Sequence, residues 1–158
     1  MSVTSWRPGT EVSAPDAAVQ DMTARTIAGV LRSPDVNLAA VSARIEAGLP
    51  FRVFTELCRA LGLTQREFAD LLRLSPSTLY RRKASGTFEP DESDRLWRYL
   101  HVYARAFDVH EGADAAREWL KAPVAALGGA SPLVVAKDDP GVQRVLTLLG
   151  RIEHGVFG

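Results

Sequence analysis

Apolar residues along this 158-residue chain recur at helical spacing rather than in strict alternation. Leu38, Val41 and Ile45 make one stripe, and Phe54, Leu57, Cys58 and Leu61 make the next. Farther on, Leu96, Leu100, Tyr103 and Phe107 repeat at i, i+4, i+7 and i+11, and Val142, Val145, Leu146, Leu149 and Ile152 form a last stripe. Four Ser-Pro or Asp-Pro pairs punctuate the pattern: Ser33-Pro34, Ser75-Pro76, Ser131-Pro132 and Asp139-Pro140. Each puts a side-chain oxygen at a helix N-cap and a proline at the first helical position, where its missing N–H would have had no partner anyway. Gly48 and Gly62 suit the left-handed residue that closes a helix, and Gly112 also falls near the end of a periodic stretch. Leu127-Gly128-Gly129 predicts a turn with positive φ. Leu133 to Ala136 is a compact apolar run whose Ser-Pro start predicts a short helix. The expected fold class is all-α, about eight helices joined by short loops. Residues 1–14 show no period and read as a flexible tail.

One segment combines cap, turn and charge. Thr64-Gln-Arg-Glu67 is a capping box, so a helix starts at Gln65 with Phe68, Ala69, Leu71 and Leu72 on its inner face. Arg73-Leu74 makes a tight connection, and Ser75-Pro76 starts a second helix that ends in Arg81-Arg82-Lys83. The pair resembles a helix-turn-helix, with small Ala69 where the helices touch, Leu74 after the turn and Leu79 as anchor. In that arrangement Ser77, Thr78 and Arg81 face base edges, Arg being able to grip guanine O6 and N7 with two bonds. Thr64, Gln65, Arg82 and Lys83 meet phosphate, and Tyr80 suits either role. Ser75, as the cap of the recognition helix, belongs to the same surface. Arg73 departs from the pattern, since glycine is usual at that turn position. The competing structural reading is a helical pair with a solvated cationic end, because cations also favour a helix carboxyl terminus.

Total charge hides this segment. Nineteen Lys and Arg balance nineteen Asp and Glu, which taken alone argues against a nucleic-acid partner. Residues 59–83, however, carry six bases against two acids, a local +4, whereas residues 84–98 carry two against four. Cys58, the single cysteine, cannot form an internal disulfide, and no apolar run approaches the roughly 18 residues of a membrane span. A cytoplasmic protein with no membrane partner is expected. His101, His110 and His154 lack a second ligand at i+3 or i+4, and there is no phosphate loop or nucleophile elbow. Neither catalysis nor a cofactor or metal is expected, and Trp97 and Trp119 read as core.

A family resemblance rests on a longer series of motifs. Arg-Arg-Lys-Ala-Ser-Gly86, Pro90-Asp-Glu-Ser-Asp-Arg-Leu96, Ala115-Ala-Arg-Glu-Trp-Leu120 with Pro123, Leu127-Gly-Gly-Ala-Ser-Pro-Leu133, Gly141, and Leu149-Gly-Arg-Ile-Glu-His-Gly155 follow one another in order. Together they resemble the Xre/MbcA/ParS antitoxin family over residues 50–158 or so. The resemblance implies a Xre/Cro-like helix-turn-helix core that represses its own operon, followed by a small helical domain that neutralises a co-encoded RES-domain toxin of the NAD⁺-consuming type. It also implies a blocking element, Arg151-Ile152-Glu153-His154-Gly155-Val156-Phe157-Gly158, that enters the toxin's active-site cleft. Ile152 and Phe157 would be its apolar anchors, and Glu153 would pair with cleft arginines. From composition alone the same segment reads as a frayed terminus with Phe157 folded back. The expected partition is a tail (1–14), a helix-turn-helix domain (15–100) and a toxin-binding and dimerisation domain (101–158), the expected partners being operator DNA, a RES toxin and a second copy. A plain transcription regulator with a ligand-binding or dimerising second half is the alternative, and a localisation scaffold a third.

Overall fold

The computed structural model describes residues 38–155. The Ser33-Pro34 cap, the tail expected over 1–14, and Val156, Phe157 and Gly158 lie outside the described residues. Eight α-helices follow in order: α1 (Leu38–Ala47), α2 (Phe51–Leu61), α3 (Gln65–Leu71), α4 (Pro76–Ser85), α5 (Pro90–His110), α6 (Ala113–Lys121), α7 (Pro132–Val135) and α8 (Asp139–Glu153), with a 3-10 turn at Ala125–Leu127. No strand occurs among the described residues beyond one bridge, Pro50 to Thr87, so the all-α expectation holds.

The punctuation that predicts these helices is visible in the hydrogen bonds. Thr64 and Glu67 form the reciprocal box, Ser75 caps α4 and Ser131 caps α7. At the last helix the cap sits one residue earlier than the Asp-Pro rule predicts. Asp138 Oδ1 accepts from Gly141 N–H at 2.8 Å, while Asp139 is already helical and pairs with Arg98 at 3.1 Å. The shift costs nothing because Pro140, with no N–H to satisfy, is tolerated at either of the first two positions. Gly48, Gly62, Gly128 and Gly129 are left-handed as expected, but beside Gly112 the left-handed residue is Glu111.

Helix α5 is the spine. It packs on α1, α6 and α8 and buries Leu96, Tyr99, Leu100, Val102, Tyr103, Ala104 and Ala106. Around its first half lies an aromatic cluster in which Phe54 stacks on Phe68 at 5.2 Å and Phe68 meets the edge of Tyr99 at 5.5 Å. From the helices that follow it, Ala116, Leu120, Leu133, Val142, Val145 and Leu149 are also buried. All but Ala104 belong to one continuous core; each fully buried Leu or Phe contributes about 1.5–3 kcal/mol relative to exposure. Trp97 and Trp119 are half-buried against it. Gly141 is what brings α8 onto α7: a Cβ there would overlap the Val135 carbonyl oxygen outright.

Candidate nucleic-acid interface and carboxyl-terminal arm

Helices α3 and α4 are joined by the four residues Leu72 to Ser75, and the geometry of this turn explains the Arg73 anomaly. Arg73 adopts φ +57°, the conformation for which glycine is ordinarily chosen. Its N–H bonds to the Asp70 carbonyl at 3.0 Å and the Leu74 N–H to the Ala69 carbonyl at 2.8 Å, the paired bonds of a Schellman closure. Leu74 is buried beside them, so the apolar contact that usually accompanies this closure holds a non-glycine residue in it. The turn is kept, at roughly 1–2 kcal/mol of backbone cost.

On α4 the side chains separate into two sets. Ser75, Ser77, Tyr80, Arg81 and Lys83 are exposed, Tyr80 at 75%. Ser75 Oγ accepts from Thr78 N–H and donates to Thr78 Oγ1 at 2.9 Å, and Arg81 Nη2 donates to the same oxygen at 3.3 Å. A chain of hydroxyls thus steadies the Arg81 guanidinium. Thr64 and Gln65 are exposed at the start of α3. The Thr64 backbone N–H, and after it the Thr64 hydroxyl, hold the Glu67 carboxyl below the usual carboxylate range.

Arg82 belongs to the other set. Its guanidinium lies inward, 17% exposed, and grips Glu92 on α5 through Nε at 2.7 Å and Nη2 at 3.0 Å. The same Glu92 oxygen that takes Arg82 Nε also accepts the Glu89 backbone N–H at 2.9 Å. Burial pushes the Glu92 carboxyl up, but Arg82 and that N–H outweigh it and leave it below its ordinary value. Arg82, expected at phosphate, is thus placed inward, with Nε and Nη2 held by Glu92 inside the protein. Sequence reasoning missed Glu92, whose signal was an acid at the third position of an otherwise exposed first turn.

At the other end, α8 runs to Glu153 and closes on His154 and left-handed Gly155 (φ +67°), as expected for a helix-closing glycine. Arg151, His154 and Gly155 are exposed and Ile152 is half-buried. Glu153 is paired with Arg105 of α5, a link across 48 positions that spacing could not disclose. Beside this end lies a groove of about 310 Å³ whose lining includes Leu127, Gln143, Arg144, Thr147, Leu148 and Arg151. Among the described residues no cluster of metal-ligating side chains exists, and no helix is long and apolar enough to cross a membrane. Burial pushes the Cys58 thiol up to about 12, which suits a packing residue rather than a nucleophile.

Comparison with known proteins agrees with both halves of this geometry. Residues 40–101 match the antitoxin Xre-like helix-turn-helix domain, and residues 105–155 match the antitoxin Xre/MbcA/ParS C-terminal toxin-binding domain. An Antitoxin Xre of Photorhabdus laumondii is 37% identical over 92 residues, 55% of this chain and 62% of that protein. Another, from Yersinia enterocolitica, is 35% identical over 103 residues, 65% of this chain and 63% of that protein. The chain thus spans less than two thirds of the length of these curated relatives. One chain of the crystal structure of the M. tuberculosis MbcT-MbcA toxin-antitoxin complex superposes with a TM-score of 0.52 at 29% identity, covering 67% of this chain and 95% of that one. A helix-turn-helix with a toxin-binding domain directly after it, both matched in order along one helical core, places this chain in the Xre/MbcA/ParS antitoxin family.

Proposed function

We propose that this chain is the antitoxin of a type II toxin-antitoxin pair, neutralising a RES-domain, NAD⁺-consuming toxin through its carboxyl-terminal arm and repressing its own operon through α3 and α4. The observation that carries the reading is the match of residues 105–155 to a toxin-binding domain, ending on a closed helix whose last described residues, Arg151, His154 and Gly155, are exposed. A helix that is already formed and tied down by Arg105–Glu153 enters a cleft with little ordering cost. Arg151, Ile152, His154 and Gly155, continuing into Val156, Phe157 and Gly158, are assigned to the toxin, while Glu153 fixes the root of the arm. The division between the two functions falls inside α5, near residues 101–105, so DNA and toxin surfaces share one spine. The chain itself performs no catalysis and needs no cofactor in this reading.

On the DNA side, Ser77, Thr78, Tyr80 and Arg81 are assigned to base edges and Thr64, Gln65 and Lys83 to phosphate, Ser75 serving as cap. Two copies on a two-fold operator supply the length of site that one short helix lacks. Co-expression tests the toxin half: a chain ending at Gly150 should keep its fold and fail to rescue cells expressing the RES enzyme encoded beside it. Rescue by that truncated chain would remove the arm from the mechanism. For the DNA half, Arg81→Ala should cost about 1–3 kcal/mol in operator binding and relax base preference, whereas Lys83→Ala should lower the salt slope by about one unit. Operator binding unmoved by both would mean that α4 is not the reading helix.

A further inference from the structure

We propose that Glu92, a residue with no route to DNA itself, is a positioning residue that sets which face of α4 is offered to the operator. The proposal rests on the DNA-binding reading above and concerns how that surface is aimed. Successive residues of a helix point about 100° apart, so Arg81 and Arg82 cannot both face the core, and with Arg82 turned inward Arg81 lies to the side on the exposed surface. Nothing in helix propensity or in the Arg-Arg-Lys run separates them. The structure separates them by giving Arg82 a buried acceptor. Glu92 is 7% exposed and takes Arg82 through two bonds in the planar, fork-to-fork geometry that resists rotation. Glu92 is in turn fixed, because the oxygen that meets Arg82 Nε also accepts the Glu89 N–H and closes the first turn of α5.

The surrounding backbone makes this fork the point where α4 is registered against the rest of the fold. Directly after α4, Gly86 turns left-handed, its carbonyl accepts the Phe51 N–H at 2.9 Å, and the Phe88 N–H bonds to the Leu49 carbonyl at 3.0 Å. Ser93, beside Glu92 and fully buried, accepts the Leu49 N–H at 2.8 Å. These bonds fix where α4 ends; they leave its rotation about its own axis to side chains. Its amino-terminal half is exposed apart from half-buried Thr78 and Leu79, and Leu79 and the Arg82 fork are the groups that meet the core and α5. Base readout tolerates only about 0.5 Å and 10–20° of misplacement, which a single half-buried leucine does not guarantee.

The test compares the full-length chain with Glu92→Gln and Arg82→Lys, measuring affinity for the promoter duplex of its own operon and for a scrambled duplex of the same composition across a salt series. Glu92→Gln keeps size and loses the charge and one acceptor; Arg82→Lys keeps the charge and loses the fork. Both should lower the specific-to-scrambled ratio about tenfold, the discrimination of roughly one bidentate base contact, while affinity for scrambled duplex holds and the salt slope of Glu92→Gln stays level or steepens by up to about one unit as the guanidinium is released. A purely structural loss would shrink the active fraction and leave ratio and slope of the remaining molecules unchanged, and that result overturns the proposal. So does an Arg82→Lys chain that retains the wild-type ratio, the behaviour of a simple phosphate contact; this variant decides the matter should Glu92→Gln fail to fold. Wild-type chain that shows no preference for the promoter duplex overturns the DNA reading and the proposal with it, whereas wild-type preference kept by both variants overturns the proposal alone.

Discussion

Two glycines in the same helix are expected to respond to alanine with opposite signs. Gly141 and Gly150 both sit within α8, and neither has positive φ, so backbone strain does not distinguish them. Space does. A Cβ on Gly141 would overlap the Val135 carbonyl oxygen and stand 2.8 Å from its carbon and 3.0 Å from Asp138 Oδ1, whereas a Cβ on Gly150 meets nothing within 4 Å. The atoms in the way at Gly141 are backbone, so α8 must back away from α7, with Val142 and Val145 moving out of the core alongside. Overpacking of this kind costs roughly 1–3 kcal/mol. Disturbing the Asp138 cap on Gly141 N–H, 2.8 Å long, adds about 1 kcal/mol, and alanine's better helix propensity returns up to about 1 kcal/mol. With the cap and propensity effects roughly cancelling, Gly141→Ala should therefore lose about 1–3 kcal/mol and, in a chain of this size, about 2–12 °C of melting temperature. Gly150→Ala should gain up to about 1 kcal/mol, or about 2–4 °C. Circular dichroism melts and urea titrations at matched concentration read both. Melting temperatures that move in the same direction would refute the close α7–α8 approach on which the argument rests.

Further outcomes follow from other parts of the fold. Arg73→Gly should raise stability by about 0.5 kcal/mol, since relief of the left-handed strain of about 1–2 kcal/mol exceeds the extra freedom glycine has when unfolded; Arg73→Ala should bring no such gain, and urea midpoints in the reverse order would contradict the turn geometry. Burial holds the His101 imidazole below its ordinary value of 6.5, the charge of Arg105 adding to the effect, and burial does the same to His110. Because the folded form takes up these protons later than the unfolded chain, stability should be full above about pH 7 and fall as pH drops through 6.5. A His101→Gln, His110→Gln chain should show a flatter profile of urea midpoint between about pH 7.5 and 5.5, and an unchanged profile would mean that other groups carry the dependence. For the Glu92 carboxyl, held low in the fold, the contribution is present above its ordinary value of 4.5 and is lost as pH falls below it, so acid unfolding of Glu92→Gln should be less steep than that of the wild-type chain.

Local physics was enough to write much of this protein from its sequence. The Thr64–Glu67 box, the Ser75 and Ser131 caps and the left-handed glycines involve residues at most five positions apart, and their chemistry has few alternatives. The all-α class and the helix-turn-helix follow from the same short-range rules together with apolar spacing. Where a local rule had two solutions the tertiary structure chose: the last helix begins one residue early because Asp138 reaches Gly141 and leaves Asp139 to Arg98, and Arg73 holds a glycine's conformation because Leu74 is buried beside it. The side chains that aim the functional surfaces were further from reach. Arg82 with Glu92 and Arg105 with Glu153 are pairs of opposite charge among nineteen of each sign, and charge attraction carries no sequence period. Which cation turns inward and which remains for a partner is decided by what α5 places opposite it, and α5 is positioned by the whole core.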